Sequence, residues 1–134
     1  MFKRLNHVAI AVNDLNKAIK KYKNIFGIRI NDPIEQPLHG VKVAFIELPN
    51  TKIELLEPLG NESPLINFLK KNPNGGIHHL CYEVKNIIKC RDRILKNGGK
   101  IVGSFEPKVG AHGKLVIFLH PKEFDGTLIE LEEI

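Results

Sequence analysis

Hydrophobic and polar positions alternate along four short segments, and these segments form two similar pairs. The first pair is LNHVAIAV (5–12) with TKIELLEP (51–58), and the second is IHHLCYEV (77–84) with TLIELEEI (127–134). Strict alternation over so few residues is typical of β-strands that bury one face. Because the second pair repeats the first in the same order, the chain is predicted to contain an internal duplication.

A segment with helical periodicity follows the first strand of each pair. Asp14 and Asn86 are the predicted N-caps, and each precedes an apolar stripe with a spacing of three to four residues. The stripes consist of Leu15, Ala18, Ile19, Tyr22 and Phe26 in the first helix and of Ile87, Cys90, Ile94 and Leu95 in the second. Gly27 and the pair Gly98–Gly99 are predicted to end the helices, because glycine readily adopts the left-handed conformation.

The remaining strands are predicted from β-rich runs that lie between turn residues. These runs are residues 28–34, 41–48, 100–105 and 114–119, with a loop at 33–40 and a hairpin turn at Pro49–Asn50. Ser63 and Pro64 are predicted to begin a short helix that carries Leu65, Phe68 and Leu69.

These elements predict an α+β fold of two tandem βαβββ modules in one domain, residues 1–134. Module one covers about 1–60, a linker helix about 61–73, and module two about 74–134. We expect the eight strands to form one open, curled sheet.

Composition and charge exclude several classes of protein. The formal net charge is +5, but the basic side chains are dispersed, and the one lysine cluster is predicted to be a solvated helix face rather than a nucleic-acid site. That cluster contains Lys17, Lys20, Lys21 and Lys23. No segment has the roughly 18 apolar residues of a membrane span, and the N-terminal run is too interrupted for a signal peptide. Cys81 and Cys90 lack disulfide or metal spacing, so we expect core thiols in a cytoplasmic protein.

The two modules place one histidine and one glutamate at matching positions: His7 with Glu54, and His79 with Glu130. Alternation along the strands sets these side chains on the face opposite the apolar residues. A buried carboxylate is costly without a partner, and a divalent cation bound by all four residues would supply one. An isolated strand histidine or glutamate is more often an ordinary structural residue, but the duplicated placement favours a metal. The ligand set suits Co, Ni, Zn, Mn or Fe(II) and does not select among them.

The other histidines are given more ordinary roles. His78 is predicted to be structural, and His39 and His120 are predicted to lie in turns. His112 lies in the glycine loop GAHGK, where a surface position and a substrate contact both remain open.

Four segments together resemble the vicinal oxygen chelate superfamily, and within it the epimerases of methylmalonyl-CoA. They are NHVAIAVNDL, NTKIELLEPLG with SPLINFLKKN, GGIHHLCYEV, and VGAHGKLVIFLHPKEFDGTLIELEE. The resemblance covers nearly the whole chain. It implies the glyoxalase fold, a divalent metal held by His7, Glu54, His79 and Glu130, and an acyl-CoA thioester as substrate.

For the reaction, the resemblance implies proton transfer at an acidic carbon through an enolate. Glu130 is the first candidate for the base, and Glu54 or a water molecule is the candidate at the opposite face. Gly110, His112, Gly113 and Lys114 are predicted to contact the substrate. Some bacterial members of the family carry a glutamate base at the position of Val43, so the family's two-base assignment does not transfer whole.

Two other functions are consistent with parts of the sequence. A lactoylglutathione lyase would use the same four ligands on the methylglyoxal–glutathione hemithioacetal. A binding protein that sequesters a drug would not need the complete ligand set. In each case we expect a homodimer that covers exposed sheet edges, with no nucleic-acid or membrane partner.

Overall fold

The computed structural model describes residues Met1–Ile134 and has the predicted order of elements. The strands are β1 (Phe2–Ala11), β2 (Ile34–Gln36), β3 (Val41–Glu47), β4 (Lys52–Pro58), β5 (Gly76–Val84), β6 (Lys108–Val109), β7 (Leu115–Leu119) and β8 (Leu128–Glu133). The α-helices are α1 (Leu15–Phe26), α2 (Leu65–Lys71) and α3 (Ile87–Lys96), and short 3₁₀ helices cover Pro37–His39 and Pro121–Glu123. The order βαβββ in each half of the chain is therefore confirmed, and the bounds of the modules remain predictions.

The strands hydrogen-bond in the order β2-β3-β4-β1-β5-β8-β7-β6 in one eight-stranded sheet. Neighbouring strands β3 and β4 form an antiparallel hairpin, closed by a hydrogen bond of 2.9 Å from the Leu48 amide to the Thr51 carbonyl. By contrast, β5 and β8 run parallel, while β7 is antiparallel to β8. The sheet is therefore mixed.

The chain divides into two compact units. The terminal unit contains Met1–His7 and His79–Ile134, and the central unit contains Val8–His78. The central unit has its own core, in which Leu15 and Ala18 of α1 pack with buried apolar residues of the strands. Those strand residues are Ala44, Ile46 and Leu55.

The terminal unit repeats this packing with α3. Ile87 and Cys90 are buried against apolar residues of the strands, namely Val84, Ile117, Leu119, Ile129 and Leu131. In each unit the apolar members of the alternating strands face a helix, which leaves the polar members on the other face.

Helices α1 and α3 begin with the same side-chain hydrogen bond at the N-cap, so the duplication extends to this local detail. Asp14 Oδ1 accepts a hydrogen bond from the Lys17 amide at 2.9 Å, and Asn86 Oδ1 accepts one from the Lys89 amide at 2.8 Å. These bonds confirm both predicted N-caps.

A glutamate from the last strand of each module completes each helix start. Glu57 accepts a hydrogen bond from the Leu15 amide at 2.6 Å, and Glu133 accepts one from the Ile87 amide at 2.8 Å. A carboxylate is favoured there because the first helical amides lack partners within the helix and the helix dipole is positive at this end.

Two predicted strands are wrong. Residues 28–33 are not a strand, and β2 instead lies inside the predicted loop at 33–40. Ile30 is still buried, and the Asn31 amide donates to the Phe45 carbonyl at 3.2 Å, so the segment follows β3 without forming a continuous ladder. Pro33 has no amide hydrogen to extend such a ladder.

Residues 100–105 likewise form only an isolated bridge, Ile101 to Leu119. Gly103, with a φ of 73°, turns the chain away directly after this bridge. The edge partner of β7 is instead β6. Ile101 is buried, but Phe105 is exposed, so strand-like composition alone does not form a strand, which also needs a paired backbone.

The start of α2 and the end of α1 differ slightly from the prediction. Pro64 occupies the N-cap of α2 rather than its first helical position, and the Ser63 hydroxyl accepts from the Leu65 amide at 3.3 Å. Phe26, at the end of the predicted stripe of α1, is 64% exposed. No helix combines the length and the apolar character that a membrane span requires.

The duplicated carboxylates at the helix starts generate a stability prediction. Replacing Glu57 or Glu133 with alanine should lower the free energy of unfolding by about 1 kcal/mol each, because each change leaves a helix amide without its acceptor. Urea unfolding followed by circular dichroism measures this. Glu62→Ala is the matched control, because Glu62 is exposed in a turn. Equal midpoints for all three variants would contradict the capping role.

Candidate metal centre

Three side chains of the terminal unit converge on one point. The Nε2 atoms of His7 and His79 lie 3.2 Å apart. Glu130 Oε2 lies 3.2 Å from the His7 nitrogen and 3.0 Å from the His79 nitrogen. All three residues are buried. Three of the four predicted ligands are therefore brought together.

The strands explain this convergence. Cys81 pairs with Glu130 in the parallel register of β5 and β8, and His79 lies two residues before Cys81, on the same face of β5. Phe118 of β7 pairs with Glu130, and its ring packs edge-on against the His79 imidazole, with ring centroids 5.6 Å apart. Both contacts restrict where the imidazole and the carboxylate can point.

The spacing of the three atoms fits a divalent metal ion. Metal–ligand bonds of about 2.1 Å place neighbouring donors about 3.0 Å apart at right angles and about 3.4 Å apart at tetrahedral angles. The observed distances between the three donor atoms, 3.0 to 3.2 Å, match this range. Two imidazoles and one carboxylate are also a common ligand set for transition metals. The residues present therefore fit such an ion.

The electrostatics of Glu130 agree with a ligand role. Burial by itself raises the pKa of its carboxyl group, but hydrogen bonds from His7 and His79 outweigh burial and hold that pKa well below its ordinary value. The group is thus an anion in the folded protein, and an anionic carboxylate is the form that binds a metal.

Asn6 orients the His7 ring. Its Nδ2 donates to Glu83 Oε1 at 3.0 Å and to Glu132 Oε1 at 3.1 Å, so its Oδ1 is the atom that meets His7 Nδ1, at 2.9 Å. With Oδ1 as acceptor, Nδ1 of His7 carries a hydrogen, so Nε2, the nitrogen that meets Glu130, is the one that would coordinate a metal in place of that hydrogen bond.

Glu132 connects this network to the loop between β6 and β7. Its Oε2 lies 2.8 Å from Nδ1 of His112. The His112 ring also meets the His7 ring at an angle, with centroids 6.2 Å apart. The structure therefore places one predicted substrate-contact residue beside a predicted ligand.

The loop that carries His112 is a tight turn. The Gly110 amide donates to the Lys114 carbonyl at 2.8 Å, and the Gly113 amide donates to the Gly110 carbonyl at 3.0 Å. A Cβ at Gly110 would lie 2.8 Å from Val116, so a larger residue would push the turn away from β7. Gly113 and Lys114 are exposed. The substrate contacts predicted for Gly110, Gly113 and Lys114 remain predictions.

Glu54, the fourth predicted ligand, belongs to the central unit. It is buried in β4 and pairs with Phe45 of β3. Its side chain is on the face opposite Ile53 and Leu55, which pack with α1 as predicted. Its roles as fourth ligand and as catalytic group remain predictions.

The sequence interpretation missed four polar or sulfur-bearing residues of this centre. Cys81 is fully buried, and its sulfur belongs to a possible ligand group with His7 and Glu130, whose atoms lie within 4.8 Å of one another. The others are Asn6, Glu83 and Glu132, all buried. The sequence contained a signal for three of these four residues, because Cys81, Glu83 and Glu132 lie on the same strand faces as His79 and Glu130.

The histidines outside the centre behave as predicted. His78 packs edge-on against Phe68 of α2, with ring centroids 5.0 Å apart. His120 Nδ1 accepts from the Lys122 amide at 3.2 Å and so caps a 3₁₀ helix. Both cysteines are free and buried, and Cys90 packs in the core of the terminal unit as expected, whereas Cys81 lies at the candidate metal centre.

Comparison with known proteins gives a consistent family. The model of the Glyoxalase/Bleomycin resistance protein/Dioxygenase superfamily matches residues 6–118. The chain is 59% identical, over the whole length of both proteins, to an ethylmalonyl-CoA/methylmalonyl-CoA epimerase of Cereibacter sphaeroides. It is 54% identical to the mitochondrial methylmalonyl-CoA epimerase of Homo sapiens, over 97% of this chain and 73% of the human one.

A solved structure agrees with these sequences. The structure of a methylmalonyl-CoA epimerase in complex with methylmalonyl-CoA and NH4+ superposes with a TM-score of 0.91 and 27% identity, covering 99% of this chain and 95% of that one. The similarity therefore extends over the whole fold.

The convergent donor atoms generate a prediction about metal binding. His79→Ala should weaken the binding of Co²⁺ or Zn²⁺ by at least about 100-fold, since removing a ligand costs no less than removing the residue that orients it. Metal content after dialysis, together with the visible absorption of bound Co²⁺, measures the effect. His120→Ala is the control, because that ring only caps a turn. Unchanged stoichiometry in His79→Ala would remove His79 from the ligand set.

Proposed function

The chain belongs to the Glyoxalase/Bleomycin resistance protein/Dioxygenase superfamily, and from its similarity to epimerases within that superfamily we propose that it is an epimerase that interconverts the two epimers of methylmalonyl-CoA. The observation that carries the chemistry is the convergence of His7 Nε2, His79 Nε2 and Glu130 Oε2 in a buried site. Identity over the full length of an epimerase supports the substrate class, an acyl-CoA thioester.

The reaction sets clear demands on the site. The carbon between the thioester and the carboxylate must lose its proton, and the same carbon must regain a proton on the opposite face. The intermediate is a planar enolate with negative charge on the thioester oxygen. A site for this reaction therefore needs a positive charge near that oxygen and a proton-transfer group at each face.

A divalent ion would supply the positive charge as a Lewis acid. His7, His79 and Glu130 would hold it, and we propose Glu54 as the fourth ligand, because it occupies the matching position of the repeat and is buried. Two imidazoles and two carboxylates balance the charge of such an ion. Co, Ni, Zn, Mn and Fe(II) all accept this ligand set.

The chain's own residues perform the remaining tasks. Glu130 exchanges a proton with one face of the acidic carbon, and the turn from Gly110 to Lys114 contacts the substrate. Lys114 is exposed at the end of that turn and can approach an anionic group of a coenzyme A ester.

The alternative of a lactoylglutathione lyase has weaker support. The two relatives described above, both more than half identical to this chain, carry the name of an epimerase. The ligand set is common to both activities, so it favours neither of them. A drug-binding protein without catalysis is also disfavoured, because the predicted ligand residues are all present.

We further propose a homodimer. The end strands of the sheet are β2 and β6, and apolar side chains near both strands are exposed. Near β2 these are Ile34 and Leu38, and near β6 they are Phe105 and Val109. Covering such edges blocks unwanted strand pairing. A cytoplasmic location fits the two free thiols.

Proton exchange in deuterium oxide tests the proposed reaction. Metal-loaded protein should incorporate deuterium at the malonyl α-carbon of a single epimer of methylmalonyl-CoA and should produce the other epimer, as followed by NMR. The methylglyoxal–glutathione hemithioacetal, offered in parallel, should remain unchanged. Formation of lactoylglutathione instead would make the chain a lyase.

The Glu130→Gln variant completes this experiment. It should lose turnover while its circular dichroism spectrum stays that of the parent, because glutamine has nearly the same shape but cannot accept the proton. Retained turnover would remove Glu130 as the proton-transfer group.

Sedimentation velocity tests the dimer. The protein should sediment at twice the chain mass of 15.1 kDa. Leu38→Lys places a charge near β2, and Val109→Lys places one in β6. The variant whose charge lies at the edge that the dimer covers should sediment as a monomer. A monomeric parent protein would contradict the proposal.

A further inference from the structure

A proton-transfer group at the second face of the enolate is still required, and we propose that His112 is this group, held in position by Glu132. This inference rests on the proposed epimerase function. Val43, where some bacterial relatives are expected to carry a glutamate base, is apolar and buried. Glu54 is the competing candidate for this face.

The hydrogen bond to Glu132 fixes the form of the His112 ring. Glu132 Oε2 lies 2.8 Å from His112 Nδ1. A carboxylate can only accept, so Nδ1 carries the hydrogen and the lone pair lies on Nε2, at the far side of the ring. An imidazole with one nitrogen on a buried carboxylate and a lone pair on the other nitrogen is a common arrangement in proton transfer.

The carboxylate itself is held firmly. Glu132 is buried, and its Oε1 accepts a hydrogen bond of 3.1 Å from Asn6 Nδ2. The same amide group bonds to His7. One chain of hydrogen bonds, from His7 through Asn6 and Glu132 to His112, therefore sets both a metal ligand and the proposed base. The distance between their rings is fixed by this chain.

The position of His112 suits contact with a small molecule. Its side chain is 25% exposed, whereas that of Glu132 is 6% exposed. Its ring lies beside the ring of His7, a predicted ligand, with centroids 6.2 Å apart. The tight turn between Gly110 and Gly113 keeps the backbone of His112 in place.

The proton transfer balances with water as the only further reactant. The bond between the α-carbon and its hydrogen breaks, the proton forms an N–H bond at His112 Nε2, and the electron pair moves into the thioester carbonyl as the enolate. The Glu130 carboxylate takes up a proton from water and gives it to the opposite face of the carbon, and His112 releases its proton to water. In the reverse direction the Glu130 carboxylate removes the α-hydrogen, and His112 delivers a proton that it has taken from water.

Epimer-resolved exchange in deuterium oxide tests this assignment, with each epimer of methylmalonyl-CoA offered separately to metal-loaded protein. The key variant is His112→Asn, whose side-chain amide can still donate to Glu132 but has no basic nitrogen. Interconversion should fall at least about 100-fold, as expected for the loss of a general base. Exchange should persist for the epimer whose α-hydrogen faces Glu130, with its configuration retained, and should be lost for the other epimer.

Several controls keep the outcome interpretable. His112→Asn should bind the parent amount of Co²⁺, which excludes damage to the metal site. Glu132→Gln should lower exchange more for the epimer whose α-hydrogen faces His112 than for the other epimer, as a positioning role requires. A purely structural role would lower exchange of both epimers equally. His120→Asn, which preserves the cap of the 3₁₀ helix, should exchange and interconvert both epimers as the parent does.

The possible failures are distinct. Loss of both exchanges in His112→Asn, or loss of neither, would overturn the role of His112. If Glu54→Gln loses exchange of only one epimer while His112→Asn exchanges both epimers as the parent does, Glu54 rather than His112 is the second proton-transfer group. Absence of exchange for both epimers in the parent protein would instead overturn the proposed function.

Discussion

The cost of buried charge is the constraint on which the rest of the terminal unit depends. Glu83, Glu130 and Glu132 are all buried, and an isolated carboxylate in such a place is strongly unfavourable. Each of them is therefore met by a donor: Glu130 by His7 and His79, Glu83 by Arg4 and Asn6, and Glu132 by Asn6 and His112. The strands must bring these partners together for the unit to fold.

A site formed in this way is rigid before any ligand arrives. Removing one partner would leave another group buried without its hydrogen bond, so the network resists rearrangement. Rigidity of this kind is useful in a reaction that moves a single proton, because small errors in position lower the rate strongly. The same hydrogen bonds that stabilise the fold thus hold the chemical groups in place.

Much of the fold and part of the site could be predicted from the sequence, because they depend on local rules. Alternation along β1, β5 and β8 separates the ligand face from the core face. The N-caps Asp14 and Asn86 can be recognised because each lies three residues before the amide that donates a hydrogen bond to it. Residues 28–33 and 100–105 show the limit of these rules. Both have strand-like composition, but whether a segment joins a ladder depends on a partner that is distant in sequence.

The contact between His112 and Glu132 shows a second limit. It joins a loop to a strand 20 positions away, and its geometry depends on a glycine turn packed against Val116. Neither the alternation nor the family resemblance specifies such a contact. The sequence could place Glu132 on the ligand face of β8, and only the structure shows which side chain it meets.

The duplication explains where the polar network lies. The two modules match at the ligands, at the N-caps and at the carboxylates Glu57 and Glu133. They differ on the ligand face, where Ala9, Ala11 and Leu56 of module one correspond to Cys81, Glu83 and Glu132 of module two. The shared features are thus the candidate ligands and the hydrogen bonds that start each helix. The additional polar residues are concentrated in one copy, and a reaction with two unlike proton-transfer groups requires such an asymmetry, which a symmetric pair of modules could not provide.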